Sequence, residues 1–221
     1  APASTFAAGE ILEFQRNDPA AAAEAFRPLA RSPDPAVRAG ALLRLGRNLR
    51  KAGRPREALD VYDKLSRLGQ TSVQGLPAEL TARVARATVL EGIGDLEALG
   101  KEAALLNAGL WSGRWSLRRP AWEYHREEAR RWLGATAPTG RERSALALSL
   151  AAESVYRQWA GDPESKGRRL EKFEDRPVLA AWSGTAESLA AVLAGPDYLG
   201  AVWAEALRSR DARGALVDGD G

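Results

Sequence analysis

The sequence predicts an all-α protein: helical hairpins packed in series as an α-solenoid, with additional capping helices toward the C-terminal end. Three observations predict it. Apolar residues recur at spacings of three and four through most of the 221 residues, the period of a helix buried along one face. A phrase repeats, with Ala22, Phe26 and Leu29 returning 36 positions later as Ala58, Tyr62 and Leu65. Glycine, proline and aspartate punctuate the periodic runs where helices should begin and end.

The repeated phrase has a physical sense. Its small residue lets two helices approach, the aromatic four positions later fills the gap, and the aliphatic residue a turn further closes the seam. Upstream of the second copy, Leu42, Leu45, Gly46 and Leu49 share one helical face, and Gly53 ends that helix as a C-terminal glycine does. Residues 36–68 therefore read as two antiparallel helices. A third, looser copy runs from Leu80 to Gly92, turns at Gly94-Asp95 and continues from Leu96 to Leu106. Its extra residues fall in GQTSVQGLP, a loop expected to end with Pro77 as the first helical residue.

This pattern resembles the tetratricopeptide repeat, whose unit of about 34 residues carries a Leu-Gly pair in its first helix, a turn glycine, and small, aromatic and aliphatic residues in its second. The second copy matches through Leu45-Gly46, Gly53, Ala58 and Tyr62. The first matches through Phe6, Asp18, Ala22 and Phe26, and the third through Gly94-Asp95. The resemblance implies a right-handed, tetratricopeptide-like α-solenoid over residues 1–107. Residues 108–209 are then a Trp-rich helical extension with capping helices, and 210–221 the truncated start of a following domain or a linker.

LWSGRWSLRRPAWEYHREEARRW, residues 110–132, holds four of the seven tryptophans and the single histidine. Pro120 starts a helix on which Trp122, His125, Ala129, Trp132 and Leu133 share a face. Glu123 with Arg126 and Glu127 with Arg131 suit surface ion pairs. A single-stranded nucleic-acid platform needs exposed aromatics beside an uncompensated basic groove, so the stripe reads instead as packing. His125 reads as a hydrogen-bonded core or boundary residue. Trp111, Trp115 and Leu117 precede the helix in an irregular stretch, which leaves Trp111 and Trp115 as candidate ligand contacts.

Further on, residues 141–159 form a helix with Ala145, Leu148, Ala152, Val155 and Trp159 inward. DPESKGRRLEKFEDRP reads as a solvated charged connector. Val178, Leu179, Trp182, Ala186, Leu189, Val192 and Leu193 form an apolar helical stripe, followed by a last helix through Tyr198, Leu199, Val202, Trp203, Ala206 and Leu207. GALVDGDG reads as a short strand opening a domain that has been cut away.

Composition narrows the function classes. The chain has no cysteine, so disulfides and thiolate chemistry are excluded, and one histidine cannot build a multi-histidine metal centre. Thirty-two basic against 29 acidic residues give a net charge of +3, too diffuse a field for nucleic acid. No apolar run approaches the roughly 20 residues of a membrane span. The chain opens on Ala1 and lacks methionine, so a piece excised from a longer protein is expected. No phosphate-binding loop, nucleophile–base pair or nucleotide motif occurs. Glu10 and Glu13 read as surface carboxylates, and no cofactor is expected.

What remains is a binding surface. Arg44, Arg47 and Lys51, with Arg50 nearby, form a basic face opposite the leucine stripe, suited to an acidic peptide or carboxylate terminus. The order of AGALLRLGRNLRKAGRPREALDVYDKLSRLG, GLPAEL, LWSGRW and LVDGDG resembles the extracytoplasmic sensing region of certain bacterial membrane-bound sensor histidine kinases. That resemblance implies a noncatalytic periplasmic sensor module, a membrane-anchored parent, and kinase activity residing outside this fragment. A stand-alone scaffold for protein assembly and a small-molecule-binding helical domain are the alternatives.

Overall fold

The computed structural model describes residues 3–134 and 139–208. The protein is mostly helical and divides into two compact units, Ala1–Thr136 and Ala137–Gly221.

In the first unit, a 3-10 turn (Ala3–Phe6) leads into α1 (Ala7–Glu10) and a π-helical turn (Ile11–Gln15). α2 (Pro19–Phe26), α3 (Pro35–Lys51), α4 (Pro55–Ser66), α5 (Ala78–Ile93), α6 (Leu96–Trp111) and α7 (Arg119–Leu133) follow, and each packs on its neighbours in sequence. Local chemistry sets the boundaries. Asp18, Asp34 and Asp95 cap α2, α3 and α6 by accepting hydrogen bonds from the backbone N–H groups of Ala21, Ala36 and Ala98. Gly53 and Gly94 end α3 and α5 at φ 74° and 73°, where glycine is least strained.

The repeated phrase is core. Ala22, Phe26, Ala58, Tyr62 and Leu65 are buried, while Leu29 lies half-buried in a 3-10 turn (Leu29–Arg31). Each aromatic lies on a glycine of the preceding helix. A Cβ on Gly9 would meet the Phe26 ring at 2.4 Å, and one on Gly46 would meet the Tyr62 ring at 2.5 Å. Burial pushes the Tyr62 phenol up to about 12, against the pull of Arg50 and Arg47. The third copy lacks the lock: counted from its turn glycine Gly94, Ala87 and Ala103, both buried, stand where Gly46 and Tyr62 do in the second.

Two boundaries differ from expectation. The loop before α5 contains a tight hairpin, β1 (Ser72–Val73) with β2 (Leu76–Pro77), turned by Gln74 and Gly75 at φ 52° and 82°. Pro77 is therefore extended and precedes the helix instead of starting it. α6 continues to Trp111, and α7 packs on it, so the Trp-rich segment belongs to the first unit and residue 107 marks no break.

The second unit overturns the all-α expectation. α8 (Gly140–Gly161) opens with a capping box between Thr139 and Glu142. β3 (Lys166–Phe173), β4 (Arg176–Gly184) and β5 (Leu189–Ala194) then form an antiparallel sheet in that order. The expected charged connector is β3, and the expected capping helix from Val178 to Leu193 is two strands. Glu174 and Asp175, at φ 50° and 59°, make the two-residue turn between β3 and β4. Val178, Ala180 and Trp182 alternate onto the sheet face that packs against Ala147, Ala151 and Val155 of α8. That packing turns Ser144, Ala147, Ala151 and Val155 inward and leaves Ala152 exposed. α9 (Pro196–Arg208) is the expected last helix, and 210–221, with LVDGDG, lie outside the described residues.

The glycine contacts predict opposite signs for one substitution. Gly46→Ala should destabilise the protein by about 1–2 kcal/mol, because overpacking against Tyr62 exceeds the helix-propensity gain. Gly92→Ala, with open space around it, should stabilise by about 0.5–1 kcal/mol. Urea unfolding of the two variants beside the parent chain measures both.

Candidate functional site

The basic residues singled out on α3 do share a face, and that face is turned toward the first helix. Arg44 donates from Nε and Nη2 to Glu10 Oε1 at 2.9 and 2.7 Å, and from Nη1 to the Gly40 carbonyl at 3.2 Å. Glu13 accepts from Arg47 Nη2 at 2.6 Å, Asn48 Nδ2 at 2.9 Å and Lys51 Nζ at 2.7 Å. Arg50 is exposed and has no ion pair among the described residues.

The surface assignment of Glu10 and Glu13 is thereby corrected. Glu13 is only 4% exposed and Glu10 is half-buried. A carboxylate buried this far needs charged partners or it would take up a proton. Burial pushes the Glu13 pKa up, but the hydrogen bonds from Arg47, Lys51 and Asn48 outweigh it and hold the group below its ordinary 4.5. Glu10 with Arg44 and Glu13 with Arg47 are each 34 residues apart, two short of the 36-residue offset of the repeated phrase, so the repeat by itself does not name these partners.

Aromatic rings complete the face. The Arg44 guanidinium lies 4.0 Å above the Phe6 ring. Arg47 and Lys51 lie 5.3 and 5.4 Å from the Phe14 ring, which is 63% exposed. Phe14 was missed in the sequence because it lies off the repeated phrase. Beside it, Phe6, Glu10, Gly40, Arg44, Val73 and Gln74 line an open cleft of about 240 Å³.

Trp111 and Trp115 serve elsewhere. Trp115 is buried over Gly109, where a Cβ would come within 2.5 Å of its ring, and its Nε1 donates to Glu79 at 3.3 Å. Trp111 is the last residue of α6, half-buried and edge-on to Trp122 at 5.0 Å. Both hold the segment leading to α7 onto α6. Glu79, also buried, accepts from Arg114 at 2.8 Å and Arg83 at 3.1 Å, and Glu102 accepts from Arg83 and Arg86, each at 3.0 Å. As with Glu13, burial raises the Glu79 pKa while hydrogen bonds from Arg114 and Arg83 lower it further, to a net value below 4.5.

On α7, His125, Ala129 and Trp132 are buried and Trp122 is half-buried, as the stripe implies, but Leu133 is exposed. His125 Nδ1 has no hydrogen-bond partner, and burial pushes the pKa of its ring down against the pull of Glu128. The surface pairs differ in partner. Glu123 is near Arg119 at 3.6 Å, Arg126 pairs with Glu127 at 2.7 Å, and Arg131 pairs with Glu91 and Glu128. Among the described residues no cluster of three or more metal-ligating side chains occurs, and no helix is long and apolar enough to cross a membrane. Compared with known proteins, the chain matches no family model, no curated protein and no solved structure.

The buried carboxylates predict an acid-sensitive first unit. Their folded pKa values lie below 4.5, so their contribution is present above that pH and is lost as pH falls through the folded values. Unfolding midpoints measured from about pH 6 to about pH 3 should fall for the parent chain and fall less for Glu13→Gln. Arg47→Glu should cost on the order of 3 kcal/mol or more at pH 7, because it leaves a buried carboxylate facing a second one.

Proposed function

We propose that the chain is a noncatalytic binding module whose first unit, a short helical-hairpin array of the tetratricopeptide kind, captures an acidic segment of a protein or peptide. The face shared by the first helix and α3 is the binding surface. The observation that carries this reading is Phe14: a largely exposed aromatic ring flanked by Arg47 and Lys51, both fixed by the enclosed Glu13. Cations already held in place lose little side-chain freedom when a ligand arrives. Arg44, Arg47 and Lys51 outnumber Glu10 and Glu13 by one, so the cluster keeps a positive balance for an acidic partner. An apolar side chain of the partner rests on Phe14, while its carboxylate takes the outward donors of Lys51 and Arg47.

The repeat pitch of the Gly9–Phe26 and Gly46–Tyr62 contacts supports the array reading. The order of sequence motifs supports the wider one, in which the module is the periplasmic sensing region of a two-component sensor histidine kinase. Sequencing the coding region downstream tests that wider reading: a membrane span followed by a kinase core is expected, and a stop codon with neither overturns it.

Binding is tested with a fluorescent peptide of alternating glutamate and leucine, titrated by anisotropy. Phe14→Ala and Lys51→Gln should each weaken binding by about tenfold, equivalent to about 1.4 kcal/mol, with the helical circular dichroism unchanged. Equal affinity for a lysine–leucine counterpart, or no loss in either variant, rejects the surface. Reversal of all three cations is not a clean probe, because it strips Glu13 of its partners.

A further inference from the structure

α3 has a second working face. Opposite Arg44, Arg47 and Lys51, a pit of about 140 Å³ opens between the turn Leu29–Arg31, α3 and α4. Its wall is aliphatic, made of Ala30, Leu42, Leu45 and Val61, the last three buried by the packing of the helices. Three cations, Arg27, Arg31 and Lys64, complete the lining.

The cations are not equivalent. Arg27 is committed to Glu24 at 2.7 Å and stands near Glu57 at 3.6 Å. Arg31 and Lys64 are exposed, and neither has an ion pair or side-chain hydrogen bond among the described residues. Nearby Asp63 is paired with Arg67 at 2.6 Å and does not satisfy Lys64. The pit thus joins a hydrocarbon wall to two cations that lack counter-charges.

We propose that this pit binds a small branched aliphatic monocarboxylate, with its hydrocarbon end against Leu42, Leu45 and Val61 and its carboxylate between Arg31 and Lys64. Each half of the site selects against other ligands. A hydrated inorganic anion gains nothing from the aliphatic wall, and a dicarboxylate would press a second charge against it. A neutral hydrocarbon leaves the cations unanswered. The volume is near that of the apolar cavity of about 150 Å³ known to admit a benzene-sized group, and an extended peptide needs more room. The site does not depend on the acidic-peptide surface, which uses the other side of α3.

The test is an amide-resolved NMR titration of the full chain with sodium 4-methylpentanoate. Saturable shifts are expected at Ala30, Leu42, Leu45 and Val61. Binding of 4-methylpentanamide should be about tenfold weaker or more, and acetate should leave these amides unmoved. The double variant Arg31→Gln, Lys64→Gln, which alters only exposed side chains, should keep the native spectrum and lose at least about tenfold in affinity. Equal binding of the amide, undiminished binding by the double variant, shifts that map elsewhere, or no saturable shift overturns the proposal. Tighter binding of a peptide ending in leucine than of the free acid also overturns it, by assigning the pit to a chain terminus.

Discussion

The first unit depends on an aromatic ring lying directly on a glycine. Phe26 on Gly9 and Tyr62 on Gly46 bring the two helices of each hairpin closer than any side chain at the glycine would allow. That approach fixes how closely α1 packs on α2 and α3 on α4. It also determines which turns of successive helices face each other. Glu10 meets Arg44 and Glu13 meets Arg47 because the first helix and the turn after it lie along the basic face of α3. The ion pairs are therefore a consequence of the hairpin geometry, and a buried carboxylate at position 13 is tolerable only where that geometry delivers three donors.

This arrangement changes the meaning of the basic face. A row of free arginines and lysines on α3 would be a diffuse, flexible patch. Held by two carboxylates and set against Phe6 and Phe14, the same cations have fixed directions. Some of their charge is neutralised, and the remaining donors are aimed. The same economy recurs around Glu79 and Glu102, where arginines from α5 and from the segment before α7 converge on enclosed carboxylates. There the network holds α5, α6 and that segment together, with Trp115 as the apolar lid.

The second unit follows another rule. Its three strands have little of the clean alternation that marks a half-buried sheet. On β3 the positions facing α8 include Arg169, which donates to Ser154 and Gln158 and stacks over Trp182. On β4 and β5 the outward positions carry Leu179, Ala181 and Val192, so both faces look apolar from sequence. Small residues let α8 lie close to the sheet, and the alanines that make this possible are also good helix formers.

The sequence by itself determined the helices within residues 36–68, from Leu80 to Leu106 and after Pro120, the glycine stops at Gly53 and Gly94, the repeated small–aromatic phrase, and the presence of α8 and α9. These are legible because capping, helical period and glycine conformation are properties of neighbours along the chain. It also located the cluster Arg44, Arg47 and Lys51, since residues three and four apart must share a helix face. Only the tertiary structure decided what those cations touch, that Glu13 is enclosed, that Phe14 stands free beside them, and that Trp115 is buried. It also decided that residues 166–194 are strands. A strand's hydrogen bonds and a buried charge's partners are supplied by residues distant in sequence, and nothing local to Val178 or Glu13 states which distant residues will arrive.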